Sequence, residues 1–323
     1  LHVLGERLAP DIALAALMAA WLPAAGRLLA RGRYAVATVA LLLPLVLAAP
    51  QLTPPLYGDE PFHLTLMDSM VRDHDLDVAN NLDLEERPQN ALYAPGWPLF
   101  HSPGLSFLLL PGYVVAGRTG ALVFLALMGG ALSALLARRA RDLGVGESRV
   151  RLLALAGAIT YPLATFAGQI WPELPGALAV AAVLVLAART RGGRLGAVAV
   201  AITAALIKTR LALLVFPVAA AAWLRRKRLL GAGALAGAVA VVMAAGWLAM
   251  GHPFGPYRRL HHLWPSDPVL AVKVGGGLIF DAAGGLLFTA PLWVFAIFGM
   301  AALWRRGGPG ERALLLGCGA TVA

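Results

Sequence analysis

Long apolar runs separated by short basic clusters set the pattern of this chain. The runs lie near residues 12–30, 35–52, 105–117, 119–137, 150–167, 174–188, 195–207, 211–224, 229–250, 286–304 and 313–323. A full bilayer crossing needs roughly 20 helical residues, so several runs are short. Between them stand Arg27/Arg31/Arg33, Arg138/Arg139/Arg141 with Arg149/Arg151, Arg189/Arg191/Arg194, Arg225/Arg226/Lys227/Arg228 and Arg305/Arg306/Arg312. Placing every cluster on the cytoplasmic side requires an even number of crossings between neighbours. The runs obey this as four hairpins: 35–52 with 119–137, 150–167 with 174–188, 195–207 with 211–224, and 229–250 with 286–304. Each tip then faces outward. The run 105–117 is too short to span and would break the parity, so it reads as an interfacial or re-entrant helix of the first outer loop, approximately 53–118.

The expected fold is therefore an all-α polytopic integral membrane protein, with one transmembrane domain over residues 1–323. The run 12–30 leads into Arg31 and Arg33 without a convincing cleavage site, which predicts an anchor rather than a removed signal peptide. Its orientation stays open: parity puts the N-terminus outside or makes this run a non-spanning hairpin. A first residue Leu1 and an apolar run stopping at Ala323 lead us to expect a fragment or an unusual start codon, with a C-terminal part missing.

Composition strengthens the membrane reading. Hydrophobic residues are 59% of the 323 and charged residues 14%, with mean hydropathy +0.73, so most of the chain cannot be the surface of a water-soluble domain. The net charge of +10 would suit nucleic acid, but the cations sit in short clusters between apolar runs, so no nucleic-acid partner is expected. The lone Cys318 lies in an apolar run and supports neither a disulfide framework nor a thiolate metal site. Gly275-Gly276-Gly277 has no strand-to-helix phosphate motif around it.

The unusual polar groups all fall in the outward tips. The first tip holds most of the acid, and its sharpest feature is Tyr57-Gly58-Asp59-Glu60-Pro61-Phe62-His63-Leu64. Pro61 suits a first helical turn, and a carboxylate beside the positive helix end should stay ionised. Asp59 could then accept a proton from an acceptor hydroxyl, with His63 on the same helix face. The plainer alternative is an N-cap with an acidic first turn. Asp59 with His63 could also hold a divalent cation, although two ligands lack a third. In the third tip, Lys208-Thr209-Arg210 sits between apolar runs that reach only about 20 Å, which would draw both cations below the outer boundary toward a lipid phosphate. Side chains snorkelling from longer helices are the alternative. Tyr257, Arg258 and Arg259, with His261 and His262, suit a phosphate or pyrophosphate. Glu173 after Trp171-Pro172 is an acid at a helix start, and dipole capping also explains it.

These residues resemble the GT-C superfamily of membrane glycosyltransferases, which includes protein O-mannosyltransferases and lipid A aminoarabinose transferases. Gly58-Asp59-Glu60 resembles the acidic motif of the family's first outer loop. His101-Ser102-Pro103-Gly104-Leu105 looks like its His-Pro-Pro interfacial segment, with Ser102 in place of a proline. Tyr161-Pro162 with Gln169-Ile170-Trp171-Pro172-Glu173-Leu174-Pro175 is similar to the opening of its fourth conserved span. Leu206-Ile207-Lys208-Thr209-Arg210 resembles its Lys-Pro/Thr turn, and the stretch from Gly277 through Pro291 is similar to a Gly-Leu-Leu-x-x-x-Pro segment. The resemblance implies a GT-C-like helix bundle whose outer-face loop carries interfacial helices. It implies transfer of a sugar from a polyprenyl-phosphate donor to a lipid, glycan or protein acceptor at the extracytoplasmic face of the cell membrane. Asp59 and Glu60 would be the catalytic acids, and His63, His101, Glu173, Lys208, Arg210, Tyr257, Arg258 and Arg259 the substrate-binding set. No nucleotide cofactor and no dedicated metal site is implied, though some members use a divalent cation. Two other classes remain: a secondary transporter or lipid-binding permease, in which Asp59, Lys208 and Arg210 form a substrate or proton site, and a non-catalytic membrane assembly subunit.

Overall fold

The computed structural model describes residues 20–52, 58–78, 81, 101–160, 163–187, 191–224, 228–253 and 294–322. Every long regular element among them is an α-helix: α1 (20–30), α2 (Tyr34–Leu52), α3 (Glu60–Arg72), α4 (Gly104–Asp142), α5 (Glu147–Ile159), α6 (Leu163–Ala167), α7 (Glu173–Ala187), α8 (Arg191–Ile207), α9 (Ala212–Leu224), α10 (Arg228–Met250), α11 (Val294–Arg306) and α12 (Pro309–Val322). Two stretches, Gly104–Asp142 and Gly231–Leu248, are long and apolar enough to cross a membrane. The chain clusters into two compact units, Leu1–Ala182 and Val183–Ala323.

In the first unit, α4 is not one rod. Ala116 and Gly117 leave helical geometry, and Gly117 takes φ +56°, a left-handed value that glycine adopts without a Cβ clash. Eight residues of straight helix would separate Gly112 from Gly120 by roughly 12 Å. Instead a Cβ built on Gly112 would lie 2.5 Å from the Gly120 carbonyl oxygen, so the chain turns back sharply and the two limbs meet at bare glycines. The break divides the sequence between 105–117 and 119–137. The second limb, residues 118–142, rises roughly 37 Å.

That limb packs antiparallel to α2. A Cβ on Gly130 would meet the Ala35 carbonyl oxygen at 2.7 Å and Val39 at 2.6 Å, and one on Gly129 would meet Leu42 at 2.8 Å. Small residues let helix backbones approach this closely, and dispersion then holds them together. At the far end Leu29, Tyr34, Ala37, Ala137 and Val150 form one apolar cluster joining α1, α2, α4 and α5. Tyr34 donates its hydroxyl hydrogen bond to Glu147, Arg141 donates to the other Glu147 oxygen at 3.0 Å, and the Arg141 guanidinium stacks 4.8 Å over the Tyr34 ring.

The Tyr34 hydroxyl, with Arg141 and Arg151 beside it, holds the Glu147 carboxyl below its ordinary value of 4.5. A depressed folded-state carboxyl stabilises above its unfolded pKa and loses that contribution as pH falls through the folded value. Tyr34→Phe keeps the ring and removes the bond. Its melting temperature should fall below wild type at pH 7, with the gap closing as pH drops below 4.5; a gap independent of pH would contradict this coupling.

The run 150–167 departs from the expectation of one span. Helix α5 ends at Ile159, Thr160 is extended (ψ 163°), and α6 resumes for only 5 residues. Pro162 lacks the N–H needed to carry the helical ladder through.

In the second unit α8 reaches back through Gly192 and Gly193 to Arg191, longer than the apolar run 195–207. It packs against α9 and α10, with Val198 and Ala238 meeting Ile202 and Phe216. Helix α12 lies on α9, where a Cβ on Gly317 would sit 2.7 Å from the Leu213 carbonyl oxygen. Large apolar side chains stay exposed on both units, among them Leu152 (65%) and Leu248 (85%).

Candidate active site

The acidic motif opens α3, and hairpin α4 grips that helix. Glu60 is 2% exposed, and its Oε1 accepts a hydrogen bond from Arg118 Nε at 2.7 Å. His63 is also 2% exposed, with Nδ1 2.9 Å from Ser106 Oγ. One turn further, Tyr113 donates to Asp68 Oδ1 at 3.2 Å. Glu60 and His63, three apart, share a face of α3, and Asp68 lies further along the helix. They meet Arg118 from the second limb and Ser106 and Tyr113 from the first, so the turn at Gly117 brings both limbs onto α3. A buried carboxylate is tolerable only with such a partner, since an isolated charge there would cost several kcal/mol.

Asp59 occupies the N-cap position yet makes no side-chain capping hydrogen bond, and its backbone is already helical (φ −78°, ψ −14°). Capping normally uses an extended N-cap whose oxygen accepts from the N2 or N3 amide, and Pro61 has no amide hydrogen to offer. The carboxylate instead faces His101, with Oδ1 3.6 Å from Nε2; the two side chains are 24% and 23% exposed. The His101 ring packs edge-on against Phe62 at 5.1 Å between centroids and lies 5.9 Å from the His63 ring. The acid with access to solvent is therefore Asp59, while Glu60 is committed to Arg118.

Trp171 covers the other flank. Gly58 has φ +62°, and a Cβ on it would lie 2.5 Å from Trp171 Cζ2, so the indole rests on bare backbone beside Asp59. The indole N–H is buried and has no hydrogen-bond partner among the described residues. Glu173, two residues on, is half-buried in the first turn of α7. Gly58→Ala imposes both the left-handed penalty of roughly 1–2 kcal/mol and displacement of the indole. Chemical denaturation should show a loss of at least that size, and an unchanged midpoint would mean that the ring is not seated there.

The structure thus brings Asp59, Glu60, His63 and His101 together, with Glu173 in the first turn of α7. His63 Nδ1 lies against Ser106 Oγ, and His101 stands beside Asp59. No set of three His, Cys, Asp or Glu side chains converges among the described residues, and Glu60 is paired with Arg118. Arg118, Ser106 and Tyr113 escaped sequence reasoning. The signal for Arg118 was there: a single charge standing between the apolar runs 105–117 and 119–137.

Lys208 and Arg210 belong to the second unit. Lys208 is half-buried and extended (φ −153°, ψ 113°), closing α8 before the short 3-10 turn Thr209–Leu211, and Arg210 is exposed. Tyr257, Arg258 and Arg259 lie outside the described residues. The chain matches no protein-family model, no curated protein and no solved structure.

Proposed function

We propose that the chain is a multi-pass membrane glycosyltransferase of the GT-C type. It moves a sugar from a polyprenyl-phosphate donor to an acceptor hydroxyl at the extracytoplasmic face of the cytoplasmic membrane. The observation that carries this reading is Asp59: an acid at a helix start, withheld from capping, turned toward His101 and partly open to solvent. A neighbouring acid with its own buried counter-ion leaves Asp59 as the group suited to take a proton.

In the transfer, the acceptor oxygen attacks the anomeric carbon while its proton passes to the Asp59 carboxylate. The bond from that carbon to the phosphate oxygen breaks, and the electron pair leaves on polyprenyl phosphate. By the same resemblance, Lys208 and Arg210, with Tyr257, Arg258 and Arg259, are the candidate groups for holding the donor's phosphate. His101 orients Asp59, and Trp171 offers an indole beside it for the sugar ring. Glu60 and His63 act from beneath by fixing the first turn of α3. Apolar side chains exposed along both units support lipid as the surrounding solvent.

The cationic turn provides a test at the donor end. Lys208→Ala or Arg210→Ala should weaken binding of a labelled polyprenyl-phosphate sugar by about 2–5 kcal/mol if the phosphate pair is desolvated, with acceptor binding little changed. Unchanged donor affinity in both variants would return these cations to the role of snorkelling anchors.

A further inference from the structure

At the end of the first unit remote from Asp59, arginines far apart in sequence come to one place. The apolar cluster of Leu29, Tyr34, Ala37, Ala137 and Val150 draws together the segments 27–33, 138–141 and 149–151. Arg27, Arg31, Arg33, Arg138, Arg141 and Arg149 are exposed there, and Arg139 and Arg151 are half-buried. The described acids among them are two. Asp142 lies 4.0 Å from Arg139, and Glu147 is taken by Tyr34, Arg141 and Arg151. Arg27, Arg31, Arg33, Arg138 and Arg149 therefore present a positive surface that the described acids do not neutralise. Within two residues of the cluster on α2, α4 and α5, Val36 (54% exposed), Leu136 (53%) and Leu152 (65%) give each of these helices an exposed apolar flank.

We propose that this collar binds the headgroups of anionic phospholipids, whose acyl chains lie along the Val36, Leu136 and Leu152 flank. Cations just above an apolar band match a charged headgroup over its acyl chains. A soluble polyanion such as nucleic acid would meet the arginines but leave the apolar flank in water. The Tyr34–Glu147–Arg141 network ties α2, α4 and α5 together, so the surrounding arginines form a fixed surface rather than independent loops. The inference rests on the membrane-embedded part of the proposed function and not on its transfer chemistry.

The test compares melting of the purified full chain in nanodiscs of phosphatidylcholine alone and in discs with about one third phosphatidylglycerol. The anionic discs should raise the melting temperature by about 4 °C or more. That advantage should shrink at 1 M salt, where the screening length falls to about 3 Å. The variant Arg27→Gln/Arg31→Gln/Arg33→Gln/Arg149→Gln, which spares the residues around Glu147, should lose most of the advantage while melting normally in phosphatidylcholine. Equal wild-type melting in the two discs overturns the collar, as does a variant that keeps the full advantage. Failure to insert into either disc overturns the membrane reading and the collar together, so the two failures are distinguishable.

Discussion

Asp59→Asn should abolish sugar transfer while leaving the protein folded. Asparagine keeps the shape of the side chain and most of its hydrogen bonding, and as an N-cap it is about as good as aspartate. Asp59 makes no capping bond in any case, so the stability cost should stay within a few tenths of a kcal/mol from the helix-dipole contribution. An amide cannot take the acceptor's proton, and loss of a general base costs roughly 100- to 10,000-fold in rate. Normal melting with a collapsed turnover is the expected pair of results. Glu60→Gln provides the comparison, because Glu60 is buried against Arg118 while Asp59 is partly exposed. Retention of more than about a tenth of wild-type turnover by Asp59→Asn, outside the range for a general base, removes Asp59 from that role.

Arg118→Met should have the largest effect on stability. It leaves the Glu60 carboxylate, 3% exposed, buried without its counter-ion, and breaking a buried pair from one side costs about 3–5 kcal/mol. Adding Glu60→Gln removes the stranded charge, so the double variant should be more stable than Arg118→Met alone. Denaturant unfolding in micelles reads the whole cycle. A loss within the ~0–1 kcal/mol of a surface pair would mean that water reaches Glu60 and that the hairpin does not clamp α3. Because the clamp sets the first turn of α3, the same variant should also lower transfer, and here Glu60→Gln would restore folding first.

The helical character of this chain was legible because apolar runs and basic punctuation are properties of local sequence. The starts of α2 and α10 fall within a residue of their runs, and the division at Ala116 and Gly117 was visible as a short run that broke the parity. The interruption at Thr160 was less visible, since the apolar run 150–167 continues past it while α5 ends at Ile159. At the site, Asp59 stood out because glycine and proline flank it. Its partner did not: His63 is four residues away in sequence, but whether it meets Asp59 or Ser106 depends on where the α4 hairpin lands. His101 reaches Asp59 only through that tertiary contact, and Arg118 reaches Glu60 only because the chain turns at Gly117. Pairings set by a long-range fold leave little trace in spacing. The arginine collar is a similar case, since the cluster Arg27/Arg31/Arg33 and the cluster from Arg138 to Arg151 were placed on one face but not side by side until the Tyr34 cluster joined them.

The most direct measurement incubates the purified full chain, in lipid nanodiscs, with a labelled polyprenyl-phosphate sugar and a mixture of lipid, glycan and protein acceptors, and follows free polyprenyl phosphate and labelled product together. Wild-type protein should release the lipid phosphate and label an acceptor in equal amounts, and Asp59→Asn should do neither above background. Donor that stays intact with wild-type protein across the sugars tried would contradict glycosyl transfer, and movement of intact donor across the bilayer would favour a transporter.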